Sequence, residues 1–247
     1  MLVRKIFKNK QLILFLTCLS TSVFAATDQS KETTKDLPRN EIFPPEDGKI
    51  PPLQGKITEG RYHAPQGVFS CQAYDFSEGS YTAQDGLLEQ AACVGFYNSL
   101  SDFKKAEILF FPGLEKKTWG EKELKGAFEG FGIGILKSVD NAQGINVLKE
   151  EMLGDNMFFA AISVEKMSVL KSPNGQHVPS TRGYLIFQDK DKLAVLSNQI
   201  VTLPGQRHEP KKHVERLKRE ILEFRKTFEF GAIPESVIEK IKSEASS

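Results

Sequence analysis

The chain has 247 residues, with 33 Lys and Arg against 32 Asp and Glu, 40% hydrophobic and 26% charged residues. That length supports one or two domains with a sizeable core, and the balanced charge excludes a protein that grips nucleic acid through a broad basic surface. Its 12 Pro and 19 Gly exclude collagen-like and wholly disordered chains, and no apolar run approaches the roughly 18 residues of a spanning helix, which excludes a polytopic membrane protein.

In chain order, residues 1–25 carry the three-part pattern of a cleavable export signal. Arg4, Lys5, Lys8 and Lys10 make a basic start without an acid, and the apolar run from Leu12 to Leu19 follows. Val23 and Ala25 then supply small residues at −3 and −1, so cleavage is expected after Ala25, with Ala26 the near alternative. The stretch from Gln11 to Ala25 is too short to cross about 30 Å of hydrocarbon as an uncleaved anchor. Cys18, inside the apolar run, lacks the context of a lipidated cysteine. Cleavage removes four basic residues, leaving 29 basic against 32 acidic, a net −3 with no general pull toward phosphate or anionic lipid.

Residues 26–57 read as an arm. Pro38, Pro44, Pro45, Pro51 and Pro52 fix φ and remove backbone donors, which favours an extended, polyproline-like course. The arm is a tether, or a docking segment through Ile42-Phe43-Pro44-Pro45 and Ile50-Pro51-Pro52-Leu53.

Residues 58–231 are expected to form a single globular domain, followed by a short helix and tail over 232–247. Tyr62 to Tyr74 predicts one or two strands bent at Pro65-Gln66-Gly67, Gln90 to Tyr97 a further strand, and Ala106 to Phe111 another, closed by Pro112-Gly113. Cys71 and Cys93 are the two cysteines left after cleavage; in an exported chain they are expected to pair across neighbouring strands, with the connection from Glu78 to Asp85 between them.

From Gly120 to Ser138, Leu124, Phe128, Phe131 and Ile135 recur at helical spacing, yet Gly126, Gly130, Gly132 and Gly134 share the stretch. Each glycine costs a helix about 1 kcal/mol, so the segment is either a helix packed closely through its glycines or one broken near Gly130. Gly144–Leu153, Met157–Leu170, Thr181–Gln188 and Leu193–Leu203, joined by short turns such as Ser172-Pro173-Asn174-Gly175, predict a four-stranded antiparallel meander. Pro210 to Phe228 is an amphipathic helix with Val214, Leu217, Ile221, Phe224 and Phe228 as its apolar stripe, Pro210 at its start and Gly231 past its end. Pro234 to Lys242 predicts the short final helix.

Catalytic and metal signatures are lacking: the four His are scattered, and neither a His-Glu-x-x-His pair nor a nucleophile elbow occurs. The sequence therefore implies no cofactor and no metal. Gly130-Phe131-Gly132-Ile133-Gly134 has the wrong spacing and context for a dinucleotide loop and reads as close packing. Arg207, His208, Lys211 and Lys212 cluster at the start of the long helix, where they form either an anion site or a solvated basic turn. Phe110, Phe111, Phe128, Phe131, Phe158, Phe159 and Phe187 read as core, with convergence on an apolar ligand pocket as the other reading.

The order of elements, with the opening Gly60-Arg61-Tyr62-His63-Ala64-Pro65-Gln66-Gly67-Val68-Phe69-Ser70, resembles the PsbP and Mog1-like domain family over roughly residues 57–230. The resemblance implies an α+β fold, a mostly antiparallel sheet of six to seven strands covered by the Gly-rich helix and the long C-terminal helix in an α/β/α sandwich. It implies an accessory or binding module and carries over no catalytic residue; the expected disulfide and the glycines of the first helix depart from it. Three readings follow: a non-enzymatic periplasmic or secreted module of the cell envelope that binds a protein partner, a pocket protein for a small apolar ligand, and an exported hydrolase with a dispersed site. None calls for nucleic acid or for a membrane anchor after cleavage.

Overall fold

Alternating apolar residues and tight turns build two antiparallel sheets that share one core. The computed structural model describes residues 54–73, 82–88, 91–97, 102–110, 114–138, 141–167 and 175–244. The export signal, its cleavage point after Ala25, the arm through Leu53, Phe111 with the Pro112-Gly113 stop, and the Ser172-Pro173-Asn174 part of the turn lie outside the described residues.

The smaller sheet joins β1 (Lys56–Thr58), β2 (Arg61–His63), β3 (Phe69–Gln72) and β11 (Glu229–Phe230) in the order β1-β2-β3-β11. Between β2 and β3 the chain bends through Pro65–Gly67, where Gln66 and Gly67 both take the left-handed region at φ 57 and 71°. The larger sheet contains β4 (Thr82–Leu88), β5 (Ala91–Tyr97), β6 (Asp102–Phe110), β7 (Asn146–Met152), β8 (Met157–Val164), β9 (Ser180–Asp189) and β10 (Lys192–Val201). Its seven-stranded order, β4-β5-β6-β10-β9-β8-β7, is two meanders joined by the β6–β10 pair, and it contains the expected run of four consecutive strands. The expected connection from Glu78 to Asp85 is in part a strand: β4 occupies its second half and pairs with β5. Its Gly and polar content hid the strand, because pairing here comes from a long-range neighbour rather than from local preference.

Side-chain alternation gives the large sheet two buried faces. Val94, Ala106, Leu196, Leu185 and Phe159 lie opposite one another across five strands and share one core. Val195, Ile186 and Phe158, one residue over, belong to the other. Coverage on both sides explains why β8 reads as the near-continuous apolar run Met-Phe-Phe-Ala-Ala-Ile-Ser-Val rather than as an alternation.

One face is covered by a single helical run: α1 (Glu121–Ala127), a π-helical stretch (Phe128–Gly134) and α2 (Ile135–Ser138). The glycines therefore neither break the helix near Gly130 nor leave it a plain α-helix. A π turn inserts a residue into the α repeat. Accordingly Leu124, Phe128 and Phe131 are buried as expected, but Leu136 replaces Ile135 as the last buried position. A methyl group on Gly132 would lie 2.8 Å from the Phe128 ring, so the glycine permits the wide turn to close over its own aromatic.

The opposite face carries α3 (Pro210–Lys226) and the small sheet, which completes an α/β/α sandwich. Val214, Leu217, Ile221 and Phe224 are the buried stripe, and Pro210 starts the helix as expected. The helix ends two residues before Phe228, because Thr227 caps it: its N–H and hydroxyl both donate to the Phe224 carbonyl, at 3.1 and 2.8 Å. Arg61 donates to the Thr227 carbonyl at 3.0 Å, and the Gly231 N–H to the Val68 carbonyl at 3.0 Å, so the chain turns into β11 and Gly231 serves the small sheet rather than the helix end. Tyr62 meets Phe96 edge-on and Phe69 stacks on Phe228, joining the sheets. A final α4 (Glu235–Glu244) follows.

The expected Cys71–Cys93 disulfide is not formed. Cys71 lies in β3 of the small sheet and packs with Ala92, Val94 and Phe96. Cys93 sits between those residues on β5 and therefore points to the opposite face of the large sheet. A bridge needs the two Cβ atoms roughly 3.5–4.5 Å apart, which two sides of one sheet do not offer. Burial pushes the Cys71 thiol up to about 12, with Arg61 pulling weakly the other way, so it is protonated and unreactive.

Candidate functional site

Beyond Pro210 at its start, every residue of α3 off the buried stripe is charged or polar except Leu222, which is half-buried. Beside it, Met157 opens β8 at the turn from β7. Together they floor an open groove of about 560 Å³, rimmed by Glu215, Lys218, Arg219, Glu223, Arg225 and Lys226. The volume falls in the range of binding clefts.

An ion network anchors the sheet side. Glu151 lies 2.8 Å from Lys218 and 3.1 Å from Lys149, and Lys149 reaches Glu215 at 2.7 Å. Burial raises the Glu151 pKa, but the hydrogen bonds from Lys218 and Lys149 outweigh it, and the net pKa is lowered. Lys149 is raised by its hydrogen bonds to Glu215 and then Glu151. Lys226 pairs with Glu223 at 2.7 Å along the helix.

Arg225 is held differently. Its guanidinium lies 4.3 Å from the centre of the Phe187 ring and 5.6 Å from that of Phe230. Its Nε is buried and has no hydrogen-bond partner among the described residues. Burial lowers its pKa and Asp189 opposes that, yet a guanidinium stays charged throughout. Arg219 is exposed on the other side of Leu222 and forms no ion pair among the described residues. The site thus offers an apolar floor, a fixed guanidinium and a free one. That is binding chemistry.

The residues singled out in the sequence go elsewhere. Of the basic residues at the start of α3, Arg207 and Lys211 are exposed, His208 Nδ1 lies 2.7 Å from Thr202 Oγ1, and Lys212 pairs with Glu209 at 2.7 Å. Glu209, the residue just before the helix, brings its own carboxylate to the end where an external anion would sit. The phenylalanines do not converge on one pocket. Phe128, Phe131 and Phe158 belong to one core, Phe159 and Phe187 to the other, because neighbours along a strand face opposite ways. Met157, Arg219, Leu222 and Arg225 carried no sequence motif; the one available signal was Leu222, a lone apolar residue on the charged side of an otherwise regular helix.

No family model matches the chain, and no curated protein matches it in sequence. Comparison of structures finds a partial likeness to solved Mog1 structures. One is the Ran-binding protein Mog1p of Saccharomyces cerevisiae, at 12% identity and a TM-score of 0.44, covering 75% of this chain and 99% of that one. Another is a point mutant of protein Mog1, at 13% identity and a TM-score of 0.43, covering 72% and 96%.

Proposed function

We propose that the chain is an exported, non-enzymatic accessory module of the cell envelope, and that it acts by docking another protein in the groove beside α3. The observation that carries this reading is the union of a half-buried Leu222–Met157 floor with a guanidinium stacked in place over Phe187. Interface centres characteristically combine apolar area with a well-held Arg or aromatic anchor. Export rests on the basic-apolar-small pattern of residues 1–25 and on the mild acidity of the chain after Ala25. The expected arm, up to where β1 begins at Lys56, then serves as the tether that lets the domain reach its partner.

The test is made in the native cell with the full chain. A photoactivatable residue is placed at Leu222, and at Glu121 on the opposite face as a control. The expected product begins at Ala26, fractionates with envelope or medium, and gives a covalent adduct with one protein from position 222 only. Retention of Met1 in the cytosol would overturn export. Equal adducts from both positions, or none, would overturn docking at the groove.

A further inference from the structure

We infer that the groove receives an acidic segment of its protein partner, one in which carboxylates flank a bulky apolar side chain. This rests on the docking reading above and specifies what docks.

The charges at the groove divide into those already neutralised and those left over. Lys218 is taken by Glu151, Glu215 by Lys149, and Lys226 by Glu223. Arg219 forms no ion pair among the described residues, and Arg225 forms none either, although Asp189 lies near enough to act on its charge. What remains for a ligand is the Arg219 charge, an Arg225 guanidinium outside any ion pair that Asp189 compensates in part, and the apolar floor.

Their placement is specific. Arg219, Leu222 and Arg225 are spaced by three residues, so each arginine lies about 60° from Leu222 around the helix, on opposite sides, and about 4.5 Å from it along the axis. The two guanidinium stems are therefore about 9 Å apart along the helix, with Leu222 between them. A segment crossing α3 obliquely can place its apolar side chain on Leu222 and Met157 while acids within two residues on either side reach the arginines. Arg225 is the stronger half. Its stem and plane are already ordered by Phe187 and Phe230, so little side-chain freedom is lost when a carboxylate takes the open edge of the fork. An anionic membrane is the poorer match, because the exposed Glu215 and Glu223 sit on the same rim and oppose a uniformly negative plane.

The experiment pans a displayed library of random twelve-residue peptides on the immobilised mature chain and measures the leading peptides by fluorescence anisotropy. Selected peptides are expected to centre on Leu, Ile, Phe or Met with Asp or Glu close by on both sides, and to bind more weakly as salt rises. Arg219→Glu, an exposed change that leaves the packing untouched, is expected to weaken the leading peptide about tenfold, and Arg225→Lys to weaken it while keeping the charge. Selected peptides without acids, or affinity indifferent to Arg219→Glu, overturn the acidic partner while docking at the groove stands. A library that yields no binder, together with no adduct at position 222, takes down the docking reading itself. Recruitment by phosphatidylglycerol vesicles that depends on Arg219, with no peptide selected, overturns the inference in favour of a membrane.

Discussion

His208 sits where the loop from β10 meets α3, its Nδ1 2.7 Å from Thr202 Oγ1 and its Nε2 buried without a hydrogen-bond partner among the described residues. Burial lowers its pKa, nearby His213 lowers it further, and Glu165 opposes both. His213 is lowered too, by burial and then Arg216. A protonated His208 would add a buried donor with nothing to accept it, so the folded state prefers the neutral ring. Below the ordinary value of 6.5 the unfolded chain binds more protons than the folded one, and stability falls as pH falls. The melting temperature is expected to drop between about pH 7.5 and about pH 5.5, and His208→Gln to shallow that drop without abolishing it, since His213 titrates alongside. Equal slopes for parent and variant would show that His208 does not carry the effect. At this scale the sequence was a poor guide: the two cysteines looked like cross-link chemistry and are both buried thiols, and nothing local announced the burial of His208.

The helical run over the first face shows what a glycine-loaded segment is for. A Cβ on Gly132 would stand 2.8 Å from the Phe128 ring, and Phe128 is itself packed against Phe158 and Tyr184 at ring distances of 6.0 and 5.6 Å. With its neighbours fully buried the ring has nowhere to retreat. Gly132→Ala is therefore expected to destabilise the protein by about 1–3 kcal/mol in urea unfolding, despite alanine's better helix propensity. A variant as stable as its parent would mean the π stretch relaxes to an ordinary helix at no cost. Spacing correctly located a helix from Glu121 to Ser138, but the change of buried position from Ile135 to Leu136 was invisible, because nothing in a 3.6-residue repeat announces an inserted residue. In α3 spacing gave the start and four stripe positions, but not its end at Lys226 before Phe228, nor the role of the off-stripe Leu222.

The described part of the molecule is tied together where β11 meets β3. β11, which follows α3, pairs with β3, and Gly231 approaches Gly67 so closely that a Cβ would stand 1.9 Å from the Gly67 carbonyl oxygen. Both atoms belong to backbone, so no rotamer change relieves the contact. Gly231→Ala is expected to cost about 3 kcal/mol and to separate β11 from β3. Tyr62, Phe69, Phe96 and Phe228 tie the small sheet into the core beneath α3, so calorimetry is expected to show one transition at lower temperature. Two separate transitions would refute a shared core. The groove depends on this closure as well, because Phe230 of β11 forms part of the ring pair under Arg225.

Periodicity and turn chemistry sufficed to read most strands, both main helices, the antiparallel meander and the covered-sheet class, since those signals lie between residues a few positions apart. The export pattern of residues 1–25 is of the same local kind. Other features arise between residues far apart in the chain: the second sheet, the strand at Thr82–Leu88, the placement of Cys71 and Cys93 on opposite sides of a sheet, and the meeting of Met157, Phe187 and Phe230 around Arg225. Folding sets which distant faces come together through burial and register, and no spacing rule in a single chain encodes that outcome.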